Sequence, residues 1–181
     1  PLVIFIRYFR HIYMNNSQEK NNNNLENLAE NYNEFLDQIF RFIYFRTNNK
    51  EIAEDLTQDC FLSVIKYLKE NQVDNLRAFL YKIAKNKLID YYRQKNRVFY
   101  TNETIEEKYE PISNNNISEK QDIKIIIEKL QLLNEEDKDI LIMRYLEDMD
   151  IKDIAEAIGK SQTTTRVKIF RSLRKARKLM Q

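Results

Sequence analysis

A single glycine and two prolines in 181 residues leave this chain almost nothing with which to build β-turns. Apolar residues recur at helical rather than alternating spacing, so the sequence predicts an all-α protein. The lone glycine is then informative. Gly159 follows Ile151, Ile154, Ala155 and Ile158, which share one helical face, and it falls where that helix must stop with a positive φ. Asp150 stands where it can cap the same helix. Ser161 opens a second helix as its N-cap, with a short polar first turn, Gln162-Thr163-Thr164-Thr165. The body of that helix carries Lys168, Arg171, Arg174, Lys175, Arg177 and Lys178, with no acid from Lys160 to the end. Ile169, Leu173 and Ala176 keep one side apolar. Two helices about a glycine turn, the second polar at its start and basic along its body, describe a helix-turn-helix whose second helix can enter the major groove. An amphipathic terminal helix with a solvated basic face is the plainer alternative; the glycine's position and the unbroken positive charge favour DNA.

The net charge of +2 is small, and its division by region says more than its sum. One cysteine, Cys60, excludes an internal disulfide, and with one histidine, His11, no zinc spacing exists. Cys60 falls on the apolar side of a helix and reads as core. Residues 1–14 are apolar but interrupted by Arg7 and Arg10, whereas a membrane span needs about 20 apolar residues. No small-residue signal cleavage site is visible, the chain begins with Pro, and Met14 is a candidate initiator. Residues 1–24, ending in NNSQEKNNNN, read as a leader without fixed structure.

Helices are predicted over residues 25–47, 50–71 and 74–97, forming a first domain at 25–97. The first helix has the stripe Leu25, Leu28, Ala29, Tyr32, Leu36, Ile39, Phe40 and Ile43, and the second buries Ile52, Leu56, Cys60, Phe61, Val64 and Leu68. The outer face of the second is acidic and polar near its start: Glu54, Asp55, Gln58 and Asp59. The third turns Leu76, Leu80, Ile83, Ala84, Leu88 and Tyr91 to the core and Lys82, Lys85, Asn86, Ile89 and Arg93 away from it, with Lys95 and Arg97 following. Aromatic residues are interleaved: Phe79, Tyr81, Tyr91, Tyr92, Phe99 and Tyr100. Cations among aromatic rings suit a single-stranded nucleic acid, through phosphate attraction and base stacking worth about 1–3 kcal/mol per base. The alternative is that the rings are core; it is favoured for Tyr91 and stays open for Phe79, Tyr81 and Tyr92. Residues 98–121 read as an acidic, flexible linker with Pro111 and an Asn114-Asn115-Asn116 run. Helices at 122–133 and 135–147 then supply the small core on which the helix-turn-helix rests, making a second domain at 122–181.

Four stretches in order resemble bacterial RNA polymerase sigma factors of the small extracytoplasmic-function group, over about residues 25–181. The run EDLTQDCF from Glu54 to Phe61 is similar to the family's AEDLTQDxF segment, which docks on the clamp helices of the polymerase's largest subunit. The run LRAFLYKIAKN from Leu76, through Asp90-Tyr91-Tyr92-Arg93, is similar to the WLxxIAxNxxxDxxR helix that recognises and melts the minus-ten element. DKDILIMRYLE from Asp137 resembles the start of region four, and Ile151 to Arg171 the minus-thirty-five reader. Phe79 stands for the usual Trp, and Thr163-Thr164-Thr165 for the usual Gly-Thr-Val, which puts a hydroxyl at a position usually apolar.

The resemblance implies a transcription initiation factor, cytoplasmic and without catalytic residues, metal or cofactor. It implies polymerase contacts at Glu54, Asp55, Leu56, Gln58, Asp59 and Phe61. Minus-ten contacts would fall at Phe79, Tyr81, Lys82, Lys85, Asn86, Arg93 and Arg97, and minus-thirty-five contacts at Gln162, Thr163, Thr164, Arg166, Lys168, Arg171 and Arg174. The implied partners are core RNA polymerase (clamp helices and flap) and promoter DNA, duplex and single-stranded. Since such factors are usually held inactive by an anti-sigma factor, the resemblance makes one a candidate partner as well. The linker would lie in the RNA channel, or serve only as a solvated tether. A stand-alone helix-turn-helix regulator is the competing reading and leaves Asp55 to Phe61 unexplained. An enzyme built on Asp55, Asp59 and Cys60 lacks an adjacent base and a phosphate loop.

Overall fold

The computed structural model describes residues 23–99 and 126–180. Among these every regular element is helical. The N-terminal half holds α1 (Asn23–Glu30), α2 (Tyr32–Thr47), α3 (Lys50–Leu68) and α4 (Leu76–Phe99). The C-terminal half has a helical segment at 126–131, then α5 (Glu135–Leu141), a π turn (Ile142–Leu146), α6 (Ile151–Ile158) and α7 (Gln162–Met180). The expected leader and linker lie outside the described residues, except that Asn23 and Asn24 already begin α1 and residues 98 and 99 still belong to α4. The Asn24 side chain brackets Val73, donating to its carbonyl and accepting from its N–H, both at 3.0 Å.

Asparagines punctuate the first half. The single helix expected over 25–47 bends at Asn31, whose side chain turns back onto the Asn27 carbonyl at 3.1 Å and the Asn27 side chain at 2.8 Å. Short polar side chains compete in this way with the helix backbone and bend it. Asn48 ends α2 in the left-handed region at φ 52°, and Asn49 Oδ1 caps α3 by accepting from Ile52 N–H at 3.0 Å. Asn75 caps α4 on Ala78 N–H, also at 3.0 Å. Helices α2, α3 and α4 enclose a core of Leu28, Ile39, Phe42, Ile43, Phe61, Val64, Leu80, Ala84 and Leu88. Edge-to-face rings join it: Tyr32 with Phe61 at 5.1 Å and Phe42 with Tyr81 at 5.3 Å. Cys60 is buried, its thiol directed at the Leu80 carbonyl and pushed up to about 12 by that burial, so it is inert packing.

Helix α2 buries more than the one stripe its periodicity implies. Phe42, Tyr44 and Arg46 are also enclosed, because α5 and the π turn pack on α2 while α6 packs on α4. The helix expected over 135–147 likewise divides. Asn134 caps α5 on Asp137 N–H at 2.9 Å, and the backbone then widens, Glu147 N–H reaching the Ile142 carbonyl at 3.0 Å. Asp148 reverses the chain at φ 45°, and Arg144 ties the turn by donating to the Met149 carbonyl at 2.8 Å. Asp150 occupies the N-cap position of α6 in extended conformation, but its side chain makes no cap hydrogen bond. Gly159 closes α6 at φ 65° with space around the missing Cβ, so its conformation rather than crowding calls for glycine.

Candidate nucleic-acid interface

The recognition helix is set by its first turn. Ser161 Oγ accepts from Thr164 N–H at 3.2 Å and lies 2.9 Å from the Thr164 hydroxyl. Thr165 is fully buried, and its hydroxyl donates to the Ser161 carbonyl at 2.9 Å. The unusual hydroxyl is thus satisfied within the helix, and α7 seats without an orphaned polar group. Ile169 and Ala176 are buried beside it and Leu173 half-buried, while Gln162, Thr163, Thr164, Arg166, Arg171 and Arg174 are exposed. Lys168 is half-buried and pairs with Glu136 of α5 at 2.6 Å. Asp137 anchors the middle of the helix through the Ser172 hydroxyl and Lys175. Burial raises the Asp137 carboxyl, but those bonds outweigh it and hold the carboxyl below the ordinary range. Val167 and Phe170, absent from the sequence-based set, are exposed on the same helix, Phe170 at 68%. Their signal was two apolar residues three apart, opposite the buried stripe.

Helix α4 presents Lys82, Asn86, Ile89 and Arg93 outward at spacings that share one face. Arg93 lies 3.6 Å from Asp90, both well exposed. Phe79 is partly buried and tilts against the exposed Tyr67 at 4.8 Å. Tyr81 is not on that surface. It is fully buried and its hydroxyl donates to Glu147 at 3.3 Å. Tyr92 is likewise engaged, donating to the Arg46 carbonyl at 2.7 Å, and Tyr91 is half-buried against its ring. Lys85 is half-buried. Burial lowers its pKa, Arg46, Lys160 and Lys168 push the same way, and Glu136 pulls against them. Arg97 belongs to the last turn of α4, and its side chain is outside the described residues.

On α3, Asp55 and Asp59 are exposed one turn apart, with Glu54, Leu56 and Gln58 half-buried beside them. Phe61 faces the other way, at 0% exposure in the core, so it holds α3 rather than meeting a partner. Exposed Leu62, one turn beyond Asp59, continues the acidic face with an apolar contact the sequence reading did not single out. Among the described residues no cluster of His, Cys, Asp and Glu converges as metal ligands would, and no helix is long and apolar enough to cross a membrane.

An acidic helix face, a basic helix behind it and a capped basic recognition helix stand in this order on one chain. Residues 32–98 match the model of sigma-70 region 2, and residues 123–175 that of sigma-70 region 4. The chain belongs to the sigma-70 family, and it is a promoter-directing transcription initiation factor of RNA polymerase. Within that family it is a member of the extracytoplasmic-function group.

It is similar to the RNA polymerase sigma factor YlaC of Bacillus subtilis, 24% identical over 86% of this chain and 92% of that protein. It is also similar to the sigma factor SigM of the same organism, 20% identical over 84% and 94%. Against the sigma factor BldN of Streptomyces coelicolor it is 23% identical over 82% of its own length, and the match spans 58% of that longer protein. The fold is that of the sigma factor RpoE from Bartonella quintana, solved with the anti-sigma factor NepR, at TM-score 0.71, 18% identity and coverage of 86% and 97%. It also matches CnrH, solved with the cytosolic domain of CnrY, at TM-score 0.59, 17% identity and coverage of 86% and 85%.

Proposed function

We propose that residues 25–97 and 122–181 are two domains that divide the work of initiation on polymerase and promoter. Asp55 and Asp59, flanked by Glu54, Leu56, Gln58 and Leu62, dock α3 on the polymerase clamp helices. Lys82, Asn86 and Arg93 on α4, with Lys85, Phe79 and Arg97, engage the minus-ten strand. Unstacking a base costs a few kcal/mol, which stacking and phosphate contacts offset. Gln162, Thr163, Thr164 and Arg166 meet bases of the minus-thirty-five element, and Lys168, Arg171 and Arg174 bear on its backbone and flanks. Val167 and Phe170 add apolar contact of the kind that thymine methyls accept. The protein works in the cytoplasm, without catalytic chemistry or a metal, and an anti-sigma protein is its expected regulator.

The observation that carries this reading is the recognition helix. It is capped by Ser161, bears no acid, and follows a separate helix whose exposed face is acidic. A stand-alone regulator would leave that acidic face without a role. Titration of purified bacterial core polymerase with labelled protein tests it, alongside a fluorescent base analogue at the minus-ten position. Saturable core binding, weakened by Asp55→Ala/Asp59→Ala, with polymerase-dependent unstacking of the base, is expected. Duplex binding that ignores polymerase would overturn the reading.

A further inference from the structure

Lys85 of α4 is half-buried, whereas Lys82, one turn earlier on the same helix, is exposed. Among the described residues no hydrogen bond or ion pair engages its amine. The charges that bear on it most come from four other places: Arg46 at the end of α2, Lys160 in the turn between α6 and α7, Lys168 on α7, and Glu136 on α5. Three of these are cations. The one acid, Glu136, is already paired with Lys168 at 2.6 Å. Arg46 has its own partners in Glu135 and Asp139. Lys85 and Lys160 are thus left, among the described residues, with no acid of their own.

Burial and like charge both penalise an ammonium and favour the neutral amine. Only the neutral amine is a nucleophile, and lysines activated by desolvation or by a neighbouring cation are those that attack carbonyl carbon. The same cations that discourage a proton on Lys85 also draw an anionic reagent toward it.

We propose that Lys85 is an acylation site and that its acyl donor is a small acyl phosphate. The amine lone pair attacks the acyl carbon, and the bond from that carbon to the phosphate oxygen breaks. Phosphate leaves with the bonding pair and takes up the proton that the amine sheds. The products are an amide at Nζ and inorganic phosphate. Lys160 and Lys168 attract the donor and favour departure of the phosphate. The amide also suits the position better than the ammonium, since it carries no charge to desolvate or to repel. The consequence rests on the proposed function: acylation removes a cation from the face assigned to the minus-ten strand, and the modified chain holds that strand more weakly.

The full chain is treated with acetyl phosphate at neutral pH to low conversion, and peptide mass spectrometry follows each lysine. Lys85 should be acetylated roughly threefold or more faster than Lys66, Lys82 and Lys152, which are all exposed. Lys160→Glu, at an exposed position, should slow Lys85 about twofold or more and leave Lys66 unchanged. Lys85 acetylated no faster than the exposed lysines, or at the parent's rate in Lys160→Glu, overturns the site. Neither reading involves DNA or polymerase, so this result does not depend on the proposed function. For the consequence, Lys85→Gln stands in for the neutral amide. At saturating core polymerase it should unstack the fluorescent base at the minus-ten position less fully than the parent. Selective acetylation of Lys85 together with full unstacking by Lys85→Gln would count against the minus-ten assignment of Lys85, and so against that part of the proposed function, while the site stands.

Discussion

Phe61 lies within the segment that resembles the polymerase-docking motif, yet its ring is wholly inside the α2–α3–α4 core. Truncation to Ala removes a fully buried aromatic side chain, which costs about 3–5 kcal/mol. The edge-to-face pair with Tyr32 at 5.1 Å contributes about 0.5–1.5 kcal/mol of its own, so the upper half of that range is expected. Against a usual stability of about 5–15 kcal/mol this is a large fraction, and the urea midpoint should fall sharply. Phe61→Leu keeps most of the apolar volume and should lose about 1.5 kcal/mol or less. Urea unfolding followed by circular dichroism gives the first quantity, and titration of core polymerase at a temperature where the variants stay folded gives the second. Phe61→Leu should bind polymerase like the parent, whereas Asp59→Ala should bind weakly at unchanged stability. A Phe61→Ala chain with the parent's urea midpoint and lost polymerase binding would refute a core role for this ring.

Ser161→Ala removes the cap on Thr164 N–H and should cost about 1 kcal/mol in thermal or urea unfolding, with weaker minus-thirty-five duplex binding. Removing Arg166, if it reads a base, should cost about 1–3 kcal/mol and relax one position of a selected sequence. Arg174→Ala should instead weaken all duplexes alike and flatten the salt dependence, both read by anisotropy titrations. The Asp137 carboxyl is depressed in the folded protein, so its contribution is present above the unfolded value, near 3.9 for Asp, and is lost as pH falls through the lower folded value. Asp137→Asn should therefore unfold with a shallower acid limb in a pH series of melting curves.

Local chemistry made the second half of the fold legible. Gly159 and Ser161 mark the turn because positive φ and side-chain capping are properties of single residues, and the same holds for the break at Asn48-Asn49. Where the outcome depended on distant partners, the sequence was silent. The second buried side of α2, with Phe42, Tyr44 and Arg46, exists only because α5 and the π turn lie on it. Glu147 looks like one more surface acid until Arg41, Arg77 and Tyr81, at least 66 residues away in sequence, are brought to it. The bend at Asn31 and the π turn after Leu141 interrupt stretches whose apolar period continues, so periodicity alone could not find them. Resemblance to a motif likewise grouped Phe61 with its exposed neighbours, although its place in the helical period puts it on the buried side. On α7 the basic residues define the interface by charge, whereas Val167 and Phe170 are distinguished only by their exposure in the folded chain.

Run-off transcription with purified bacterial core polymerase and a randomised promoter library, with this protein and its Asp55→Ala/Asp59→Ala variant, bears most directly on the function. Initiation that depends on the protein, comes from a shared two-block motif and is lost in the variant is the expected result. No protein-dependent initiation, together with tight duplex binding in the absence of polymerase, would contradict it.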